Sequence, residues 1–242
     1  LPYITSLILL IDPRVGNFKA VMDGEWITSM RTGAQTAVSL KYLHKGSSIR
    51  LGLYGAGGQG HTQTEAVAAV FDIEEVRVFD INRESTLKYA EDMKGIVKGK
   101  VTVVDDPRDA AWGDAIVCVT QSKEKFLRNE WIARGTNVFP MGSYQEVDDD
   151  FILSADRVIV DHVGQCLHRG ALKGLVEAGK FQESDIDATI GEVVAGKKPG
   201  RLSDGDRVLC IPIGTGAMDI AVATVILKRA KEKGLGGHFD FV

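Results

Sequence analysis

The chain has 242 residues, 44% of them apolar, which suits a globular α/β protein with one large domain and part of a second. Its 29 basic and 33 acidic residues give a net charge of −4 with neither sign segregated, so nucleic-acid binding and attachment to an anionic membrane lack electrostatic support. No apolar run approaches the ~20 residues that span a bilayer, and Cys118, Cys166 and Cys210, odd in number and set in apolar surroundings, read as buried thiols of a cytoplasmic protein.

The chain begins at Leu1 without a methionine, as a fragment would. Leu1 to Ile11 and Phe18 to Met22 read as a β-hairpin closed by Asp12-Pro13-Arg14-Val15-Gly16-Asn17. Thr28 is the expected N-cap of a helix running to about Lys45 and stopped by Gly46. Arg31 falls in its first turn, where a guanidinium either clamps a substrate carboxylate or is simply solvated. Thr32 alone is a helix hydroxyl, and Lys41 reads as a surface amine.

From Ile49 an apolar run breaks into Gly55-Ala56-Gly57-Gly58-Gln59-Gly60, a complete G-x-G-x-x-G. Gly55 permits the turn off a strand, Gly57 lets the backbone approach a pyrophosphate, and Gly60 lets the next helix pack on the sheet. That helix, 58–71, would aim the N–H groups of Gly58, Gln59 and Gly60 at the phosphates. A second apolar run, 76–79, ends in Asp80, 20 residues past Gly60 and at the distance of a carboxylate that binds adenosine ribose. Asp80 favours NAD by repelling a 2′-phosphate, while Asn82 and Arg83 directly after it keep NADP open.

Further short strands are expected at 101–104, 114–119, 136–140, 157–161 and 207–212, with helices at 84–94, 107–112, 162–178 and 186–195. The alternation predicts an α/β fold, a Rossmann-type doubly wound parallel sheet. Residues 49–212 would form this NAD(P)-binding domain, and 1–48 with 213–242 a partial second domain built from both chain ends. Thr120 and Ser122 follow one strand, and Met141, Gly142 and Ser143 another, at the carboxyl edge where such sheets bind ligands. Just beyond lie Glu146 and Asp148-Asp149-Asp150, acids able to serve as a base towards an amine, with Asp148 or Asp149 also suited to cap a helix.

His162, Cys166 and His168 do not share a helical face, so no metal site is assigned. There is no G-x-S-x-G and no P-loop lysine. After Ile213-Gly214-Thr215-Gly216 a helix is expected over 217–233, and Asp219 in its first turn either orients a ligand or stabilises the helix dipole.

Several segments together resemble the ornithine cyclodeaminase and mu-crystallin family. They are Met22-Asp23-Gly24 with Ile27 to Ala34, Lys41-Tyr42-Leu43, the glycine fingerprint, Val119 to Ser122, Met141-Gly142-Ser143, Glu146-Val147-Asp148, Ile190 to Lys197, Gly200-Arg201, and Gly214-Thr215-Gly216 with Asp219. The resemblance implies that Arg31 binds the substrate carboxylate and that Thr32 lies near the cofactor phosphates. It also implies that Thr120, Ser122 and Gly142 line the nicotinamide side with Asp219 nearby, and that the protein pairs as a homodimer through the domain built from both ends.

Family members also carry, before the position of Leu1, a stretch with another arginine and a lysine that hold substrate. Where the cyclodeaminases and alanine dehydrogenases have an aspartate just past the glycine, this chain has Tyr144. The expected function is an NAD(P)-dependent oxidoreductase on the C–N bond of a small amino acid or cyclic imine, with Glu146, Asp148 or water handling the proton. The alternatives are an ornithine cyclodeaminase and a non-catalytic, NAD(P)-binding, crystallin-like protein.

Overall fold

The computed structural model describes residues 5–239; the first four residues of the expected opening strand and the last three of the tail lie outside the described residues. The chain opens with strands β1 (Leu7–Ile11) and β2 (Phe18–Asp23) and helix α1 (Glu25–Leu43). There follow β3 (Ser48–Tyr54), α2 (Gly58–Ala68), β4 (Asp72–Phe79), α3 (Arg83–Asp92), β5 (Lys100–Val103), α4 (Pro107–Ala110) and β6 (Ala115–Cys118). Then come β7 (Asn137–Pro140), α5 (Asp149–Ser154), β8 (Arg157–Val160), α6 (Val163–His168) and α7 (Lys173–Glu177). The chain closes with β9 (Ala188–Thr189), α8 (Ile190–Val194), β10 (Val208–Ile211) and α9 (Gly216–Glu232). It divides into two compact units, Thr32–Gly214 and the remainder. The division falls within α1 rather than at residue 48, because Ala37, Leu40 and Leu43 on the later turns of α1 belong to the core of the sheet.

That sheet has the order β5-β4-β3-β6-β7-β10-β8-β9 with every pair parallel. Strands β6, β7, β8 and β10 are buried at every position, the consequence of β-branched runs covered on both faces. Alternation along the strands sends Leu51, Leu53, Val76, Val78 and Val117 to one face against Leu40, Val67 and Tyr89. It sends Tyr54, Ile116, Cys118 and Val138 to the other, against Phe151 and Leu175. Each fully buried Leu or Val contributes about 1.5–3 kcal/mol. The chain runs from β3 outward to β5, then returns to β6 on the other side of β3, so the carboxyl ends of β3 and β6 flank a switch point of the topology.

In the smaller unit β1 and β2 pair antiparallel, Leu9 opposite Val21. Ile8 and Leu10 face Ile27 and Ala223, flanked by Met22 and Ile226, while Leu7, Leu9, Ile11, Phe18 and Val21 lie exposed.

Four local expectations are corrected. Helix α1 starts at Glu25, where the Asp23 carboxylate accepts the Glu25 N–H at 2.9 Å, and Thr28 lies inside the helix. The single helix expected over 162–178 is two, α6 and α7, because Gly170 takes φ +72° between them. The helix expected from 186 begins only at Ile190, after β9, where Thr189 and Glu192 form a capping box. At the start of α5 Asp148 holds the N-cap position without a side-chain cap bond. No helix of the described residues is long and apolar enough to cross a membrane, and no group of three metal-ligating side chains is found among them.

Candidate functional site

The turn from β3 into α2 is shaped by what its glycines lack. Gly55 has φ +103°, and a Cβ there would stand 2.8 Å from the Val119 carbonyl oxygen. A Cβ on Gly60 would stand 2.2 Å from the Gly55 oxygen, so α2 closes on the loop only because that atom is missing. At Gly57 and Gly58 a Cβ would meet nothing within 4 Å, and Gly57 caps α2 with no side-chain bond. The first N–H groups of α2, from Gly58, Gln59 and Gly60, therefore open onto room for an anion. A dinucleotide diphosphate fits this cradle.

Asp80, at the end of β4, braces the same loop. One carboxylate oxygen accepts the Ala56 N–H and the other the Asn82 N–H, both at 2.8 Å. Each oxygen keeps a further lone pair for a ribose hydroxyl. Asn82 is a helix cap, its side-chain oxygen accepting from Glu84 and Ser85. One guanidinium nitrogen of Arg83 meets the Asp105 carboxylate, both side chains being well exposed. A cavity of about 310 Å³ lined by Asp80, Ile81, Arg83, Thr86, Val104 and Asp105 lies beside them.

The ends of β6 and β7 converge. A Cβ on Gly142 would lie 4.0 Å from the Thr120 carbonyl oxygen, and the Met141 N–H bonds the Cys118 carbonyl at 3.0 Å. The Thr120 N–H and hydroxyl donate to Glu146 Oε1 at 2.8 and 2.5 Å, and the Ser122 N–H donates to the Thr120 hydroxyl oxygen at 3.1 Å. The Glu146 main-chain carbonyl accepts from Phe126 and Leu127. Glu146 is wholly buried, and its Oε2 has no hydrogen-bond partner among the described residues. Burial outweighs the Thr120 bonds and pushes the carboxyl up to about 7, and burial with Glu146 beside it pushes the Cys118 thiol up.

Glu146, expected as an acid able to handle a proton, is buried and tied through Oε1 to Thr120. The Asp148 carboxylate accepts from Arg128 at 3.3 Å and from the Asn129 N–H at 3.4 Å. Thr32 precedes Gly33, where a Cβ would stand 2.3 Å from the Thr62 oxygen, so α1 and α2 touch directly after it.

In the smaller unit Asp219 Oδ1 accepts from the Thr28 hydroxyl at 2.9 Å and from Arg31 Nε at 3.0 Å, with both charged side chains largely buried. Asp219 orients Arg31, a role that its place in the first turn of α9 did not disclose.

Three residues escaped the sequence reading. Asp161, directly after β8, accepts from the Gly214 N–H at 2.6 Å and from Gln35 Nε2 at 3.1 Å. Its signal was an acid at a strand end, the same signal that singled out Asp80. Asp105 and Arg169 had none, since only folding brings them to Arg83 and Ser143. A larger cavity, about 520 Å³, lies at the opposite, amino edge of the sheet, lined by Lys45, Arg50, Trp112, Asp114, Arg134 and Arg201. Arg50 pairs with Asp114, Lys45 with Asp204 and Arg134 with Asp156, while Arg201 bonds the main-chain carbonyls of Asp204 and Gly135 and the Asn137 side chain.

The sequence model of the ornithine cyclodeaminase/mu-crystallin family matches residues 1–234. An alanine dehydrogenase of Archaeoglobus fulgidus is 35% identical over the whole chain and 75% of its own length. A structure of Thermococcus litoralis Delta(1)-pyrroline-2-carboxylate reductase with NADH and L-proline superposes with a TM-score of 0.93 at 31% identity, over 99% of this chain and 76% of that one. An archaeal alanine dehydrogenase dimer with bound NAD gives 0.93 at 33% identity, over 100% and 76%.

Proposed function

The chain belongs to the ornithine cyclodeaminase/mu-crystallin family, and we propose on that footing that it is an NAD-dependent oxidoreductase acting on the C–N bond of a small amino acid or its imine. The observation that carries the reading is the open cradle at Gly57 and Gly58, at the sheet's switch point and braced by Asp80. A bound NAD supplies the hydride chemistry.

The protein's part is placement. In the smaller unit Arg31, held at Nε by Asp219, is assigned to the substrate carboxylate; in the larger, Thr120, Ser122, Met141 and Gly142 are assigned to the nicotinamide. Thr120 is held rigid by Glu146. Glu146, Asp148 or water handles the proton at nitrogen. The Asp80 carboxylate, which would repel a 2′-phosphate, favours NAD over NADP.

The enzyme works as a homodimer in the cytoplasm. The apolar outer face of the β1–β2 hairpin supports the first statement, together with a relative that is itself a dimer. Three free, buried thiols support the second.

Incubation with NAD or NADH, ammonia and a panel of 2-amino acids, 2-oxo acids and cyclic imines tests the reading, which expects net cofactor turnover. Ornithine converted to proline and ammonia without net NADH would replace it with the cyclodeaminase reaction.

A further inference from the structure

The carboxyl edge of the sheet bears a cation that the reading above leaves unused. Arg169 follows α6, and its backbone is fixed by its neighbour: a Cβ on Gly170 would stand 2.9 Å from the Gly142 carbonyl oxygen and 3.2 Å from Ile213 Cδ1. The segment is therefore pressed against the end of β7. From there the Arg169 Nε donates to the Ser143 hydroxyl oxygen at 2.7 Å, one residue from Gly142.

The rest of the guanidinium is uncommitted. Its terminal nitrogens have no hydrogen-bond partner and no carboxylate pairs with it among the described residues. Among the acids that follow the neighbouring strands, Asp161 is bonded by Gln35 and Gly214, Glu146 by Thr120 and Asp149 by Lys125. An arginine moored through Nε presents its two terminal N–H groups side by side, a spacing that matches the two oxygens of one carboxylate.

We propose that Arg169 selects substrates with a second carboxylate, so that the enzyme prefers acidic 2-oxo and 2-imino acids, and the matching amino dicarboxylates, to analogues with apolar side chains. This rests on the oxidoreductase reading for the position of the substrate beside Gly142. Ser143 is the positioning residue, and Arg169 the group that touches the ligand.

Matched pairs separate charge from size. The full chain, saturated with NADH and without ammonia, is titrated calorimetrically with 2-oxoglutarate against 2-oxopentanoate, and with oxaloacetate against 2-oxobutanoate. The expected result is that the dicarboxylate of at least one pair binds about 10- to 100-fold tighter, as charge-assisted bidentate recognition provides. In R169Q the preference falls to within about threefold while NADH affinity is unchanged, and R169K restores part of it. No preference in the wild type, or one that survives in R169Q, overturns the proposal. An Arg169-dependent preference in a protein that reduces no imine leaves this inference standing and removes the oxidoreductase reading, whereas failure to bind NADH removes both.

Discussion

Glu146 is a carboxyl group enclosed where its charge is costly. Its value in the fold is about 7 against an ordinary 4.5, so between those pH values the folded chain holds a proton that the unfolded chain has released. Its contribution to stability is therefore greatest at low pH, falls as pH rises from about 4.5, and is lost by about 7. At about 1.4 kcal/mol per pH unit the total is on the order of 3 kcal/mol. Glu146→Gln keeps an oxygen for Thr120 and cannot ionise. Urea denaturation at pH 5 and pH 8 is expected to show the variant gaining about 2–3 kcal/mol on the wild type across that interval; a constant difference would count against the burial argument. Asp80, in the proposed reading, acts in the opposite sense, as a charge presented to a bound nucleotide. Asp80→Asn removes the repulsion of a 2′-phosphate, and fluorescence titration is expected to narrow the NADH over NADPH preference about tenfold or more.

At the scale of elements, the decisive contact is that of α2 with its own loop. Gly60→Ala inserts a methyl 2.2 Å from the Gly55 oxygen, and neither backbone segment has room to yield. Overpacking of this kind costs about 1–3 kcal/mol, and here it also lifts the helix N-terminus from the cradle. NADH affinity measured by calorimetry is expected to fall more than tenfold, beyond the modest drop in melting temperature. Helix α8 offers a control far from the fingerprint: Thr189→Ala removes half of its capping box and is expected to cost about 1 kcal/mol in a denaturation curve, with NADH binding intact. The break between α6 and α7 is likewise local in cause, since Gly170 must clear the Gly142 oxygen. It is also what brings Arg169 to Ser143.

For the whole molecule, the outer face of the hairpin exposes Leu9, Ile11, Phe18 and Val21 together. Burying such a face is worth roughly 25 cal/mol for each Å² covered, and the pleat puts Leu9 directly opposite Val21. The chain is expected to sediment as a dimer at micromolar concentration, and the double variant Leu9→Lys, Val21→Lys as a monomer of unchanged helix content. A wild-type monomer would refute the proposed assembly.

The alternation of strand and helix, the glycine turn and the acid after β4 were legible in the linear chain, because each depends on neighbours within about thirty residues: period, backbone freedom and charge at a strand end. For the same reason Arg31 could be singled out only as a type of residue in a type of place. Its orientation by Asp219 joins residues from opposite ends of the chain. The enclosure of Glu146, the meeting of Arg83 with Asp105, the insertion of β10 between β7 and β8, and the mooring of Arg169 share that character. Burial and pairing are properties of what packs around a group, and only the assembled sheet, by stacking distant segments at one edge, decided which acids are structural and which cation is left to meet a ligand.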